Sequence, residues 1–134
     1  MADKIFLIIA MVYTGVVTTL SLIKLGKISV GDFNPTDKMM HTSAYLVLGC
    51  VWFFYYVMKN SQQRNYKADL LKIAVLVILF GMLIEVLQGT LTSYRTPDWY
   101  DMLANSLGVL IAFLIFIFFK KSFNHLKQKI NLFL

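Results

Sequence analysis

Apolar residues gather into four long stretches, about 5–23, 39–58, 70–91 and 102–119, separated by short polar connections. At 1.5 Å per residue, stretches of roughly 18–22 residues reach ~27–33 Å, which matches a hydrocarbon core of ~30 Å. The pattern predicts an all-α polytopic membrane protein with four transmembrane helices in a single domain over 1–134, ending in a basic tail, 120–134. Composition agrees. With 58% hydrophobic and 15% charged residues in 134, and a mean hydropathy of +0.67, the chain has too little interior to hide its apolar side chains in water.

The first stretch exceeds a usual signal-peptide core and has no small-x-small site before Lys24, so it reads as a retained helix. The single Cys50 falls mid-helix, which excludes an intramolecular disulfide. A net charge of +6 would suit a nucleic-acid partner, but its distribution reports orientation instead. With the N-terminus cytoplasmic, nine basic residues fall inside: Lys4, Lys59, Arg64, Lys67, Lys72, Lys120, Lys121, Lys127 and Lys129. Four fall outside: Lys24, Lys27, Lys38 and Arg95. Both termini are therefore expected in the cytoplasm, with membrane lipids as the immediate partners. The basic tail is expected to form an amphipathic helix along the inner surface.

Within the apolar stretches, the polar residues repeat at helical spacing. The first carries Ala10, Thr14, Thr18 and Ser21, a small-residue seam for close packing. The second opens with Asp37, Lys38 and His41, and Asn34 or Thr36 can cap it, with Pro35 tolerated in its first turn. The third is apolar except for Gly81, Glu85, Gln88 and Thr92, which fall within roughly 60° of one another. The fourth follows Arg95 and begins near Thr96-Pro97-Asp98, Thr96 serving as cap. Asp98, Asp101, Asn105, Gly108 and Ala112 share a face roughly 80° wide, and Trp99 and Tyr100 suit an aromatic belt. Asp37/His41 and Asp101/Asn105 form a faint internal repeat, each an aspartate four residues before a polar side chain after a proline.

In the predicted topology Asp37, Lys38, His41, Glu85, Gln88, Arg95, Asp98, Asp101 and Asn105 all reach the outer face from three separate segments. Glu85 would lie ~10 Å beneath the hydrocarbon edge, where an ionised side chain costs up to about 2.5–3.5 kcal/mol. A cost of that size is normally offset by a partner or by water, so an outward-opening polar cavity is expected. Structural roles compete at each position. Asp98 and Asp101 suit a helix N-terminus, Lys38 can snorkel, and Asn105 can bond between helices. Glu85 resists such a role most.

These residues carry a family resemblance. Asp37-x-x-x-His41 within the D-K-x-x-H run, Glu85-x-x-Gln88, and the run from Arg95 through Asp98, Asp101 and Asn105 to Gly108 resemble the signature of the VanZ-like family across about 4–119. The resemblance implies a bacterial inner-membrane, multi-pass protein whose namesake is associated with resistance to a lipoglycopeptide antibiotic.

Three function classes fit. The first is an enzyme or binding protein for an envelope lipid, a lipid-linked glycan or a lipoglycopeptide at the outer leaflet. There Glu85, His41 and Asp101 would form the catalytic set. Lys38, Arg95, Gln88, Asn105, Asp37 and Asp98 would bind substrate. Asp98 and Asp101, with His41, could also hold a divalent cation. The second class is a non-enzymatic protein that binds amphiphiles or organises partners. The third is a small transporter relaying protons through Glu85 and His41. It is weakened because no polar residue continues the path inward.

Overall fold

The computed structural model describes residues 1–23, 35–60, 65–91 and 97–133. Its helices are α1 (Ala2–Leu22), α2 (Pro35–Lys59), α3 (Tyr66–Leu91), α4 (Trp99–Phe118) and α5 (Lys120–Phe133), with no strand among the described residues. The first four are long and apolar enough to cross a membrane. The chain is a multi-pass membrane protein.

Each spanning helix begins three or four residues ahead of its apolar stretch. The first turns explain this, because they carry Asp3, Asp37, Asp69 and Asp101 in α1 to α4 respectively. Carboxylates there face the unsatisfied N–H groups and the positive end of the helix dipole, so the helix continues past the apolar residues into the interface. The α4 cap differs from expectation. Asp98, not Thr96, caps the helix, its Oδ1 accepting the Tyr100 N–H at 2.8 Å; Thr96 and Asn34 lie outside the described residues.

Helices α2 and α4 enter from the same end of the bundle, run parallel and form its main seam. Glycine makes this approach possible. A Cβ on Gly108 would collide with the Thr42 carbonyl oxygen and the Leu46 nitrogen, both backbone atoms of α2. Further along, the Gly49 backbone packs on Ala112. Helix α1 lies along α2, with Tyr13 donating to the Ala44 carbonyl (3.2 Å) and Trp52 to Thr14 Oγ1 (3.1 Å). Helix α3 closes the bundle against α4 and α2, and Gly81 admits the Tyr45 ring.

The apolar core fills the half of the bundle away from the α2 N-terminus, around Leu48, Phe53, Leu70, Val109 and Phe116. Helix α5 docks at that end. Phe123 stacks on Phe116 (centroids 4.0 Å apart, planes 7°), and Lys127 donates to the Val57 and Asn60 carbonyls, each at 2.8 Å. Those carbonyls are among the unsatisfied acceptors at the end of α2, so Lys127 acts as its C-cap. Burial holds the Lys127 ammonium below its ordinary pKa. Leu126, Leu132 and Phe133 remain exposed on α5, an apolar edge that suits an interfacial helix.

Candidate functional site

At the opposite end, one polar layer joins α2, α3 and α4. Lys38, in the first turns of α2, reaches across the seam between two carboxylates of the α4 entrance. It pairs with Asp98 Oδ2 at 2.5 Å and with Asp101 Oδ1. Asp98 therefore caps α4 and holds Lys38 at once. Burial alone would raise its carboxyl pKa, but hydrogen bonds from Lys38 and the Tyr100 N–H outweigh that and hold it below the ordinary value.

One turn deeper on α2, His41 lies among three partners. Its Nδ1 faces Asn105 Oδ1 at 3.1 Å and Glu85 Oε1 at 3.7 Å, while its Nε2 faces Asp101 Oδ2 at 3.7 Å. Asp37, His41 and Asp101 each bring a potential ligand atom into a group no more than 4.8 Å across. Depth distinguishes the members. Glu85 and Asn105 are each 1% exposed and Asp101 5%, whereas Lys38, His41, Asp37 and Asp98 are only partly buried. The layer is thus graded, from solvent-reachable at Asp98 to closed at Glu85.

One predicted residue has a partner on α1. Gln88 is buried, but its Nε2 donates to the Ser21 carbonyl at 2.8 Å, tying α3 to the end of α1. Arg95 lies outside the described residues. One neighbour escaped the sequence reading. Tyr45 is 2% exposed, lies within electrostatic reach of Glu85, and its hydroxyl, like Asn105 Nδ2, meets no hydrogen-bond partner among the described residues. The signal was available, since Tyr45 follows His41 by four residues and shares its face. A tyrosine in an apolar helix simply reads as core.

Away from this layer, an apolar cleft of about 460 Å³ opens between α1, α2 and α3. Thr14, Trp52, Tyr55, Leu76 and Phe80 line it, and Lys59 and Asn60 stand at the end remote from His41.

Comparison with known proteins agrees with this architecture. The VanZ/LLP1 family profile matches residues 5–120. The chain is also 38% identical over 85 residues to uncharacterized protein C11E3.10 of Schizosaccharomyces pombe. That match covers 63% of this chain and 49% of the yeast protein, so the chain spans about half the length of its curated relative. No solved structure matches significantly.

Proposed function

The chain belongs to the VanZ/LLP1 family, and on that premise we propose that its polar layer is an outward-facing site for the anionic headgroup of an envelope lipid or lipid-linked glycan. The observation that carries this reading is the graded ion cluster of Lys38, Asp98, Asp101, His41 and Glu85. Buried ion pairs rarely stabilise a fold more than apolar packing of the same volume would. A bundle that builds one from three helices, at one end of its spans, is equipped for a polar ligand.

The grading gives the ligand a route. Lys38 is held by one partly exposed carboxylate, Asp98, and one buried one, Asp101. An incoming phosphate or carboxylate competes with Asp98 for the ammonium, while Asp101 keeps it positioned. Beneath it, His41 and Glu85 stand 3.7 Å apart, so a small approach of either to a bound headgroup would make proton transfer chemically available. The likeness to a fungal protein favours a headgroup shared with fungal membranes, such as a phosphodiester, over one confined to bacterial walls. In a bacterial host the site would lie in the inner membrane and face the outer leaflet. Binding there would alter access of a lipoglycopeptide to its lipid-linked target.

Amphiphile binding without chemistry is the second reading, and the 460 Å³ apolar cleft favours it as a seat for an acyl chain.

The test is lipid retention by native mass spectrometry after reconstitution with polyprenyl phosphate, phosphatidylglycerol or diacylglycerol. The parent should keep a phosphate-bearing lipid and release diacylglycerol. His41→Gln, Glu85→Gln and Asp98→Asn should melt near the parent yet lose that adduct. Variants that unfold, with the residual folded protein binding lipid normally, would make the layer scaffolding.

A further inference from the structure

We infer that Asp37, His41 and Asp101 form a binding site for a single divalent transition-metal cation, of the manganese-to-zinc group. This deepens the headgroup reading, since the cation would be the group that meets the phosphate.

The case starts from the backbone. Asp37 and His41 stand four residues apart on α2, hence on one face and one above the other. Asp101 is in the first turn of α4. Gly108 brings α4 against the α2 backbone, which puts the third carboxylate opposite that face. Two carboxylates and one imidazole from two rigid helices leave coordination positions open, as catalytic rather than structural metal sites do. One nitrogen among oxygens points away from magnesium and calcium, which take oxygen sets, and towards manganese, iron or zinc.

The histidine supplies an independent observation. Its Nδ1 faces the Asn105 amide oxygen at 3.1 Å, and an amide oxygen accepts. The other ring nitrogen, Nε2, faces Asp101 Oδ2 at 3.7 Å, a gap too long for a direct hydrogen bond. A cation placed in that gap would be bound by both atoms. Asp101 is already divided for the purpose, with Oδ1 engaged by Lys38 and Oδ2 turned to the histidine. A metal-bound histidine is usually supported by an oxygen acceptor behind its far nitrogen, and the buried Asn105 amide oxygen stands in that place. The other end of that amide, Asn105 Nδ2, is also buried and meets no partner among the described residues, and so can serve a water or ligand oxygen beside the site.

Dimensions are close to what a metal requires. Two ligands ~2.1 Å from an ion at a tetrahedral angle lie ~3.4 Å apart, against the observed 3.7 Å for His41 and Asp101. The widest separation, up to 4.8 Å, must close by as much as about 1.4 Å on binding. Asp37 is at the entrance of α2 and only partly buried, so a rotamer change there can supply the movement.

The experiment uses tag-free, full-length protein in detergent, stripped with chelator and without added lipid. Manganese chloride is titrated and followed by electron paramagnetic resonance, and zinc is counted by elemental analysis after dialysis. One equivalent should bind and raise the melting temperature. Asp37→Asn and His41→Gln should each weaken binding at least 100-fold while melting like the metal-free parent, and Asn105→Ala should weaken it roughly 10–100-fold. His125→Gln, on α5 far from the site, should bind as the parent does. Absence of binding by the parent, or undiminished binding by both Asp37→Asn and His41→Gln, overturns the site. Lipid retention measured in chelator stands apart from this result. If it persists while no metal binds, the metal inference fails and the headgroup reading survives.

Discussion

His41 and Asn105 meet across the α2–α4 seam, Nδ1 to Oδ1 at 3.1 Å, each the seventh residue of its helix. Parallel helices of equal phase therefore present matching positions to one another. The contact rests on Gly108, one turn below Asn105, which lets the two backbones touch.

That contact predicts a size limit. Gly108→Ala places a methyl against the Thr42 and Leu46 backbone, which cannot rotate away as a side chain could. A loss of about 1–3 kcal/mol is expected from overpacking. Thermal unfolding in detergent should show it, with Gly15→Ala as control. Gly15 has open space around its Cβ position, so the control should be neutral or slightly stabilised.

Removing the cation of the layer should be worse than removing its exposed anion. Lys38→Met leaves Asp101, a nearly closed carboxylate, without its ammonium, and breaking such a pair costs about 3–5 kcal/mol. Adding Asp101→Asn to Lys38→Met should recover part of that loss. Equal stability of the single and double variants would show that Lys38 and Asp101 are not coupled.

Acid should loosen the entrance of α4. The folded-state pKa of Asp98 lies below its unfolded value, so its stabilisation is complete above roughly pH 4 and is lost as the pH falls through the lower folded value. Melting curves in chelator should show an acid-dependent drop in that window that Asp98→Asn lacks. An unchanged acid profile in Asp98→Asn would assign the transition to another group.

Orientation is open to direct labelling. In a Cys50→Ala background, Thr36→Cys should react with an impermeant thiol reagent on intact cells, and Asn65→Cys should react only after permeabilisation. The reverse pattern would turn the polar layer to the cytoplasm.

Much of this arrangement was legible in the sequence, for a physical reason. In a bilayer, helix length and apolar content are nearly the whole folding signal, so four spans could be read directly. Charges inside those spans stand out for the same reason, which is how Glu85 and His41 were noticed. What stayed hidden was the pair of carboxylates that hold Lys38. Lys38 offered itself as an anion clamp, but Asp98 and Asp101 already hold it, a relation set by the distance between two helices and not by spacing along either. Gln88 shares a face with Glu85 yet turns to the α1 carbonyl of Ser21, because α1 covers the outermost turn of α3. Tyr45 and the Lys127 cap were missed because a buried tyrosine and a tail lysine look ordinary in one dimension.

The glycine seam has a further consequence, for the lengths of the segments rather than their residues. Since Gly108 fixes α4 against α2 main chain to main chain, the polar layer depends on the residue count between each helix entrance and that contact. One residue inserted between Asp101 and Gly108 would swing everything above it by about 100° and lift it about 1.5 Å. Asp101 would leave Lys38 and His41 together, although every original side chain was still present. Deep scanning for insertions and deletions should therefore find two intolerant windows, 37–46 and 98–108.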